Sequence, residues 1–281
     1  MSDRGSSIGT GDRPPLKPVA ENVCTVAIND SVNDLYKHLV LDAPPTALTV
    51  KPGQFFHLLC PVAGDDTPFL RRPMSIYRID TANQRVEFLY KVIGPGTRGM
   101  ATLLPGDRFD ILGPIGVGFT LDPSWRNIVV LGRGVGLATL GPLSEMAHRH
   151  GVGLNAILSA RSPDLVMSTD LFQSYGGEVI TVTDSEGTST VDHVEEILLK
   201  LIGENRADAF FTCGSNRLLL LMQQLGEQHD VPGQVALEQQ MACALGMCQC
   251  CVRPIRAGDE IVHHRVCFEG PVFDLQAAIS W

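Results

Sequence analysis

Long apolar runs are absent from this sequence. The longest are a handful of residues, such as 218–222, whereas a helix that crosses a bilayer needs roughly 20. No membrane span is expected. Runs of Lys or Arg are absent too. With 22 basic and 31 acidic side chains the net charge is −9 and the pI about 5.3, which argues against nucleic acid as a partner. The opening stretch, MSDRGSSIGTGDRPPLKP, has no apolar core, so no secretory signal is expected and the chain reads as cytoplasmic. No Ser/His/Asp or Cys/His nucleophile arrangement stands out, and there is no internal repeat or low-complexity tract. The pairs His148/His150 and His263/His264 read as surface histidines, and Glu195 with Glu196 as a solvated helix face.

What is present is globular. The 281 residues are 44% hydrophobic and 19% charged, enough for two domains and a small appendage at roughly 150 residues per domain. Residues 1–19 hold Gly, Ser, Asp and Pro and read as a flexible arm. Over 20–122 short apolar segments alternate with turns: 54–60 (QFFHLLC), 74–80 (MSIYRID), 85–93 (RVEFLYKVI) and 108–112. Strands at that spacing predict a small barrel or sandwich. Over 123–232 the pattern changes. Apolar strands at 127–131, 153–159, 178–183 and 209–213 alternate with helical stretches ending near His150 and spanning 191–202 and 216–228. That alternation predicts a parallel sheet with crossover helices. Residues 233–281 carry most of the cysteines and no long regular pattern.

Five of the eight cysteines, Cys243, Cys248, Cys250, Cys251 and Cys267, lie in the last 39 residues. A disulfide framework would spread them over a small secreted domain; a cluster at one end reads as a metal site. Cys243, Cys248, Cys251 and Cys267 give C-x4-C-x2-C and, after fifteen intervening residues, a fourth Cys, the spacing of plant-type [2Fe-2S] proteins. Two irons need four thiolates, three of them from one tight loop, and Ala242, Ala244 and Gly246 supply small residues there. Structural zinc is the competing reading, but zinc ribbons usually carry two C-x2-C knuckles and only one is present. Rieske ligation would need histidines in place of two thiols. The x2 spacing selects Cys251 over its neighbour Cys250.

Three glycine-rich or cationic turns stand before strands or helices. Residues 70–75 (LRRPMS) could grip a phosphate and a flavin edge, or be a strand entry with a solvated Arg pair. Gly94-Pro95-Gly96-Thr97 could admit a pyrophosphate to backbone amides, with the Thr hydroxyl adding a bond, or be an ordinary turn. Gly113-Pro114-Ile115-Gly116-Val117-Gly118 could be only a hinge between domains. Gly132-Arg133-Gly134-Val135-Gly136 follows the strand NIVVL and opens a helix, as a diphosphate-binding loop does, although Leu137 breaks the full G-x-G-x-x-G pattern. Cys213-Gly214-Ser215 and Asp184-Ser185-Glu186-Gly187 also end strands, where ligands of parallel sheets sit. Cys213 could lie beside a nicotinamide or be a buried thiol. Arg161 could meet a 2′-phosphate or be a surface side chain.

In order, RRPMS, LYKVIGPGT, GPIGVGF, VVLGRGVG, TCGSN and CALGMCQCCV…RVCFEGPVF resemble the ferredoxin–NADP reductase superfamily. More narrowly they resemble the family of electron-transfer subunits of NAD-dependent dihydroorotate dehydrogenase, over nearly all of the chain after about residue 20. The C-terminal cysteine cluster is the most specific part. The resemblance implies an α+β multidomain fold: a Greek-key β-barrel that binds FAD (20–122), a parallel-sheet α/β domain that binds NAD (123–232) and a small [2Fe-2S] domain (233–281). It implies that Arg72, Pro73, Met74, Ser75, Leu89, Tyr90, Lys91, Gly96 and Thr97 bind FAD. Gly132, Gly134 and Gly136 would take the dinucleotide, with Cys213 at the nicotinamide, and Cys243, Cys248, Cys251 and Cys267 would hold the cluster. The implied partner is an FMN-containing catalytic subunit in a heterotetramer. Two departures matter. The family usually has glycine where Arg133 stands, which bears on NAD binding, and glycine where Ala244 stands, where a methyl is tolerated if the backbone needs no positive φ. The alternative functions are a reductase component serving another oxidoreductase or an oxygenase, and a subunit that has lost nicotinamide binding.

Overall fold

The computed structural model describes residues 19–280, so the expected arm at 1–19 lies outside the described residues but for Val19. Seven antiparallel strands form the first sheet: β1 (Ala20–Ser31), β2 (Tyr36–Asp42), β3 (Phe55–Leu58), β4 (Arg72–Ser75), β5 (Arg78–Asp80), β6 (Arg85–Lys91) and β7 (Arg108–Ile115), in the order β4-β3-β7-β1-β2-β6-β5. Residues 74–80, expected as one strand, are two, and they lie at opposite edges of the sheet. The Ile76 amide donates to the Gln54 carbonyl on one side (3.2 Å) and the Tyr77 amide to the Glu87 carbonyl on the other (2.9 Å). This link bonds to both edges and curls the sheet into a barrel.

Alternation along β6 shows why these segments are strands. Val86, Phe88 and Tyr90 point into the barrel core with Leu39, Leu41, Phe56 and Ile111, while Leu89 and Lys91 face outward. Each fully buried large apolar side chain contributes about 1.5–3 kcal/mol. The Tyr90 hydroxyl donates to Asn29 Oδ1 at 2.9 Å, and the Asn29 amide donates to the Met100 and Leu103 carbonyls, so these buried polar groups are satisfied. His57 on β3 is different: it is buried, and among the described residues its Nε2 has no hydrogen-bond partner. Burial pushes its pKa down to about 4. After β6 the expected Gly94–Thr97 turn opens a short helix, α1 (Pro95–Ala101).

The second sheet follows from β8 (Asn127–Arg133), α2 (Leu137–Arg149), β9 (Gly153–Ala160), α3 (Thr169–Ser174), β10 (Glu178–Thr183), α4 (Val191–Gly203), β11 (Ala209–Cys213), α5 (Asn216–Gln228), β12 (Gly233–Ala236), the hairpin β13 (Val252–Ala257) and β14 (Glu260–Arg265), and β15 (Val272–Asp274). Its order is β10-β9-β8-β11-β12-β15, parallel but for β15. Val129 and Leu131 pack under α4 and α5 on one face; Ile128 and Val130 pack under α2 on the other. In β8, β9 and β11 both faces are buried, which is why these strands are largely apolar rather than alternating.

The stretch 233–281 is less separate than expected. β12 and β15 belong to the parallel-sheet unit, because the main chain of β12 continues the ladder of β11 and β15 pairs back on it. The cysteine loop and the hairpin hang between those two strands. Further bonds join the parts: Tyr77 and Ser168 hydroxyls lie 2.8 Å apart, and Gln234 Nε2 donates to Thr120 Oγ1 at 2.6 Å. Among the described residues no helix is long and apolar enough to cross a membrane.

Candidate functional site

The cysteines form two pairs. Cys243 interacts with Cys248, and Cys251 with Cys267. The amides of Leu245 and Cys248 point at Cys243 Sγ (3.3 and 3.5 Å), and that of Cys267 at Cys251 Sγ (3.4 Å). Burial raises the Cys243 pKa, but the amide bonds outweigh it and bring the thiol down to about 7. Burial and the neighbouring Cys251 push Cys267 up to about 12. Cys251 and Cys267 are buried, whereas Cys250 is exposed with Sγ 3.8 Å from the Gln240 carbonyl, outside both pairs. The loop is pinned by Arg265, which pairs with Glu269, donates to the Gly246 carbonyl at 2.8 Å and lies 4.5 Å over the Phe268 ring. His263 and His264 stand on β14, His264 against Phe273.

Ala244 departs from what its methyl tolerates. Its φ is 56°, in the left-handed region that costs a non-glycine residue about 1–2 kcal/mol. Ala244→Gly is expected to raise unfolding stability by about 1 kcal/mol, read as a higher thermal midpoint with the visible spectrum unchanged.

A cleft of about 840 Å³ opens where the barrel, α2 and the segment before Cys243 meet. Arg72, Pro73, Met74, Ser75, Leu89, Tyr90, Lys91, Gly96 and Thr97 all line it. Not all offer what was expected. The Tyr90 ring is sealed in the barrel core, so its share of the wall is main chain. The Thr97 hydroxyl is committed locally: it accepts from the Ile93 and Gly94 amides and lies 3.1 Å from the Gly94 carbonyl. It caps α1 rather than reaching into the cleft. The two arginines divide their work. Arg71 bonds to Asp110, Glu21 and the His57 carbonyl, tying three strands, whereas among the described residues the Arg72 guanidinium donates only to the nearby Leu70 and Arg71 carbonyls. Sequence reasoning missed Val135 in the turn before α2, Ala138 and Thr139 on α2, and 238–241 after β12. The sequence signal for the latter was its place at the end of a parallel strand.

A second cleft of about 220 Å³ lies at the carboxyl edge of the parallel sheet, with Tyr36, Lys91, Arg133, Arg161 and Glu238 on its walls. Gly134, Gly136 and Gly214 line it. A Cβ on Gly136 would sit 2.6 Å from the Cys213 carbonyl, so glycine there lets two strand-end loops close-pack. Lys91, Val135 and Glu238 line both clefts, which makes them neighbours. Two expected residues are not on either wall. Gly132 serves packing: a Cβ would meet Leu137 at 2.9 Å. Cys213 is 3% exposed, with Sγ 3.8 Å from Thr139 Oγ1, behind the wall that Thr139 forms. Burial pushes its pKa far up, as for an inert structural thiol.

Comparison with known proteins agrees with this architecture. Residues 238–278 match the iron–sulfur cluster binding domain of dihydroorotate dehydrogenase B. The dihydroorotate dehydrogenase B (NAD(+)) electron transfer subunit of Desulforamulus reducens is 31% identical over 84% of this chain and 89% of its own. The chain belongs to that family of electron transfer subunits. Its counterpart from Geobacillus sp. is 30% identical over 92% of this chain and 93% of its own. Among solved structures, an NADH-dependent reduced ferredoxin-NADP oxidoreductase superposes with a TM-score of 0.77 at 20% identity, covering 92% of this chain and 90% of that one. The ferredoxin reductase of carbazole 1,9a-dioxygenase gives 0.62 at 18% identity, covering 77% and 68%. These likenesses establish the fold: a ferredoxin reductase-like barrel, a parallel-sheet domain and the iron–sulfur segment of the electron transfer subunits.

The donor sets fit the groups this family implies. Two thiol pairs, each with amides directed at sulfur, suit two irons bridged by sulfide, since each iron takes two protein thiolates. In the larger cleft a Cβ on Gly96 would lie 3.0 Å from Arg72 Cγ and 3.1 Å from Cys60 Sγ, so the bare glycine lets its turn pack directly against the Arg72 side chain on the cleft wall.

Proposed function

We propose that this chain carries electrons between a nicotinamide dinucleotide and a catalytic partner subunit of the dihydroorotate dehydrogenase type, through FAD and a [2Fe-2S] cluster. The observation that carries this is the wall of the larger cleft. Met241 lines it, and Cys243 stands two residues on. Two residues of extended chain span at most about 7 Å, so the flavin cleft and the cluster loop are built from one short segment.

When bound, FAD exchanges a hydride with nicotinamide and passes electrons singly to the cluster. The chain's own part is positioning. Arg72 supplies a cation for phosphate, and Pro73, Met74, Ser75 and Leu89 shape a wall for the flavin ring. Thr97 holds the turn that keeps Gly96 against Arg72. Cys243, Cys248, Cys251 and Cys267 hold the cluster. Gly134 and Gly136 admit the dinucleotide to the smaller cleft, from which Lys91, Val135 and Glu238 lead into the larger.

The partner's docking face is the rim of the cysteine loop. Leu245, Met247 and Phe268 are 42%, 82% and 47% exposed beside the exposed Cys248, an apolar rim of the kind that marks protein contacts. The partner carries FMN, the assembly is a heterotetramer and its place is the cytoplasm.

An anaerobic visible spectrum of the purified chain, before and after NADH, tests the reading. Flavin bands with a broad iron–sulfur shoulder, both bleached by NADH, are expected. Bands that only dithionite bleaches would instead favour a subunit that has lost nicotinamide binding.

A further inference from the structure

We propose that Arg133 is a diphosphate-gripping side chain, held on Asp184 until the diphosphate of a dinucleotide takes over the guanidinium. This rests on reading the smaller cleft as the dinucleotide site.

Arg133 stands where a bulky cation ought to obstruct a diphosphate loop, yet its geometry is not that of a plug. Its backbone is ordinary extended strand, φ −120° and ψ 128°, so a side chain here costs no strain. The left-handed turn falls on Gly134, with φ 53°. The guanidinium is drawn sideways along the carboxyl edge of the sheet. Its Nη1 donates to Ser159 Oγ at 2.7 Å and its Nη2 to Asp184 Oδ2 at 2.5 Å. It forms one wall of the cleft and leaves Gly134, Gly136 and Gly214 on the others.

The charges around it favour an anion. Lys91, Arg133 and Arg161 line the cleft against one carboxylate, Glu238. A guanidinium carries five donors in a fork suited to phosphate, and the bonds to Ser159 and Asp184 use two of them.

The pairing is built to let go. Asp184 also accepts from Arg217 Nη2 at 3.2 Å and from the Ser189 hydroxyl. When Arg133 turns to a diphosphate, Asp184 keeps two partners and is not stranded. The Arg133–Asp184 pair is itself part-exposed, with side chains 20% and 42% accessible, and such pairs are weak and readily exchanged. A diphosphate offers the same guanidinium more charge and more acceptors.

The test uses the chain loaded with FAD and cluster, and ADP as a probe that carries the diphosphate but no redox chemistry. Calorimetric titration at low and high salt compares wild type, Arg133→Gly and Asp184→Asn, with the visible spectrum as the check on folding. Arg133→Gly is expected to weaken ADP about tenfold or more and to flatten the salt dependence. Asp184→Asn, which frees the guanidinium without changing side-chain size, is expected to tighten ADP by about twofold to fivefold. ADP bound as tightly or more tightly by Arg133→Gly overturns the proposal and makes Arg133 a plug. Wild type and both variants that bind neither ADP nor NADH overturn the dinucleotide reading itself.

Discussion

Cys251→Ser is expected to purify without the broad visible absorption of an iron–sulfur cluster, while Cys250→Ser keeps it. The two cysteines are adjacent in sequence, and only the fold separates them. Cys251 is 2% exposed, paired with Cys267, and takes the Cys267 amide on its sulfur. Cys250 points outward, near the Gln240 carbonyl. A serine oxygen is a poor substitute for thiolate at iron, and losing one of four ligands removes the site rather than weakening it. Iron analysis should fall from about two atoms per chain to near zero for Cys251→Ser and stay near two for Cys250→Ser. Cluster binding also contributes to folding, so Cys251→Ser should melt earlier. The opposite pattern of colour in the two variants would reassign the fourth ligand.

Arg72→Ala should release FAD, and Arg71→Ala should not. The side chains are neighbours with different tasks. Arg71 joins Glu21 on β1, the His57 carbonyl on β3 and Asp110 on β7, at 3.0, 3.3 and 2.7 Å. Removing it unties three strands and leaves Asp110 without its cation, which costs about 1–2 kcal/mol of folding stability. Arg72 makes no ion pair with protein among the described residues; its guanidinium donates only to backbone carbonyls beside it, and its stem packs against Gly96. A guanidinium on a phosphate is worth about 1.5–3 kcal/mol, so Arg72→Ala should weaken FAD about 10- to 100-fold. Flavin content after gel filtration and the thermal midpoint measure the two effects separately. Flavin lost equally from both variants would show that the barrel's integrity, not Arg72, governs binding.

Much of the fold was legible because its elements carry local signals. The parallel strands β8, β9 and β11 are largely apolar since both sheet faces are covered there, and the glycine-rich turns stand at their ends. β1 and β2 were not placed individually, because their apolar positions are diluted: along β1 only Asn22, Cys24, Val26 and Asn29 are buried. Residues 74–80 looked like one strand because nothing local marks a switch between sheet edges; that switch exists only once the barrel closes. The helix of 95–101 was hidden behind Gly-Pro-Gly, which reads as a turn until the Thr97 hydroxyl caps it.

For the site, cysteine spacing alone singled out Cys243, Cys248, Cys251 and Cys267, which the fold gathers into two pairs and leaves Cys250 outside both, because ligand geometry is imposed by the metal and is written in short intervals. Motif order alone singled out nine residues for FAD, and all nine meet on one cleft. What the sequence could not decide was which atom each residue presents there. Tyr90 turns its ring into the core, Thr97 spends its hydroxyl on a cap, and Gly132 and Cys213 stand behind the walls. Ala244 sits at positive φ, a property of the loop's path rather than of the residue. Arg133, in sequence only an odd side chain in a glycine loop, is turned aside by Ser159 and Asp184, residues 26 and 51 positions away. Identity and spacing are local and survive in the linear sequence. Direction, burial and partnership arise from contacts between distant segments, and only the packed tertiary structure decides them.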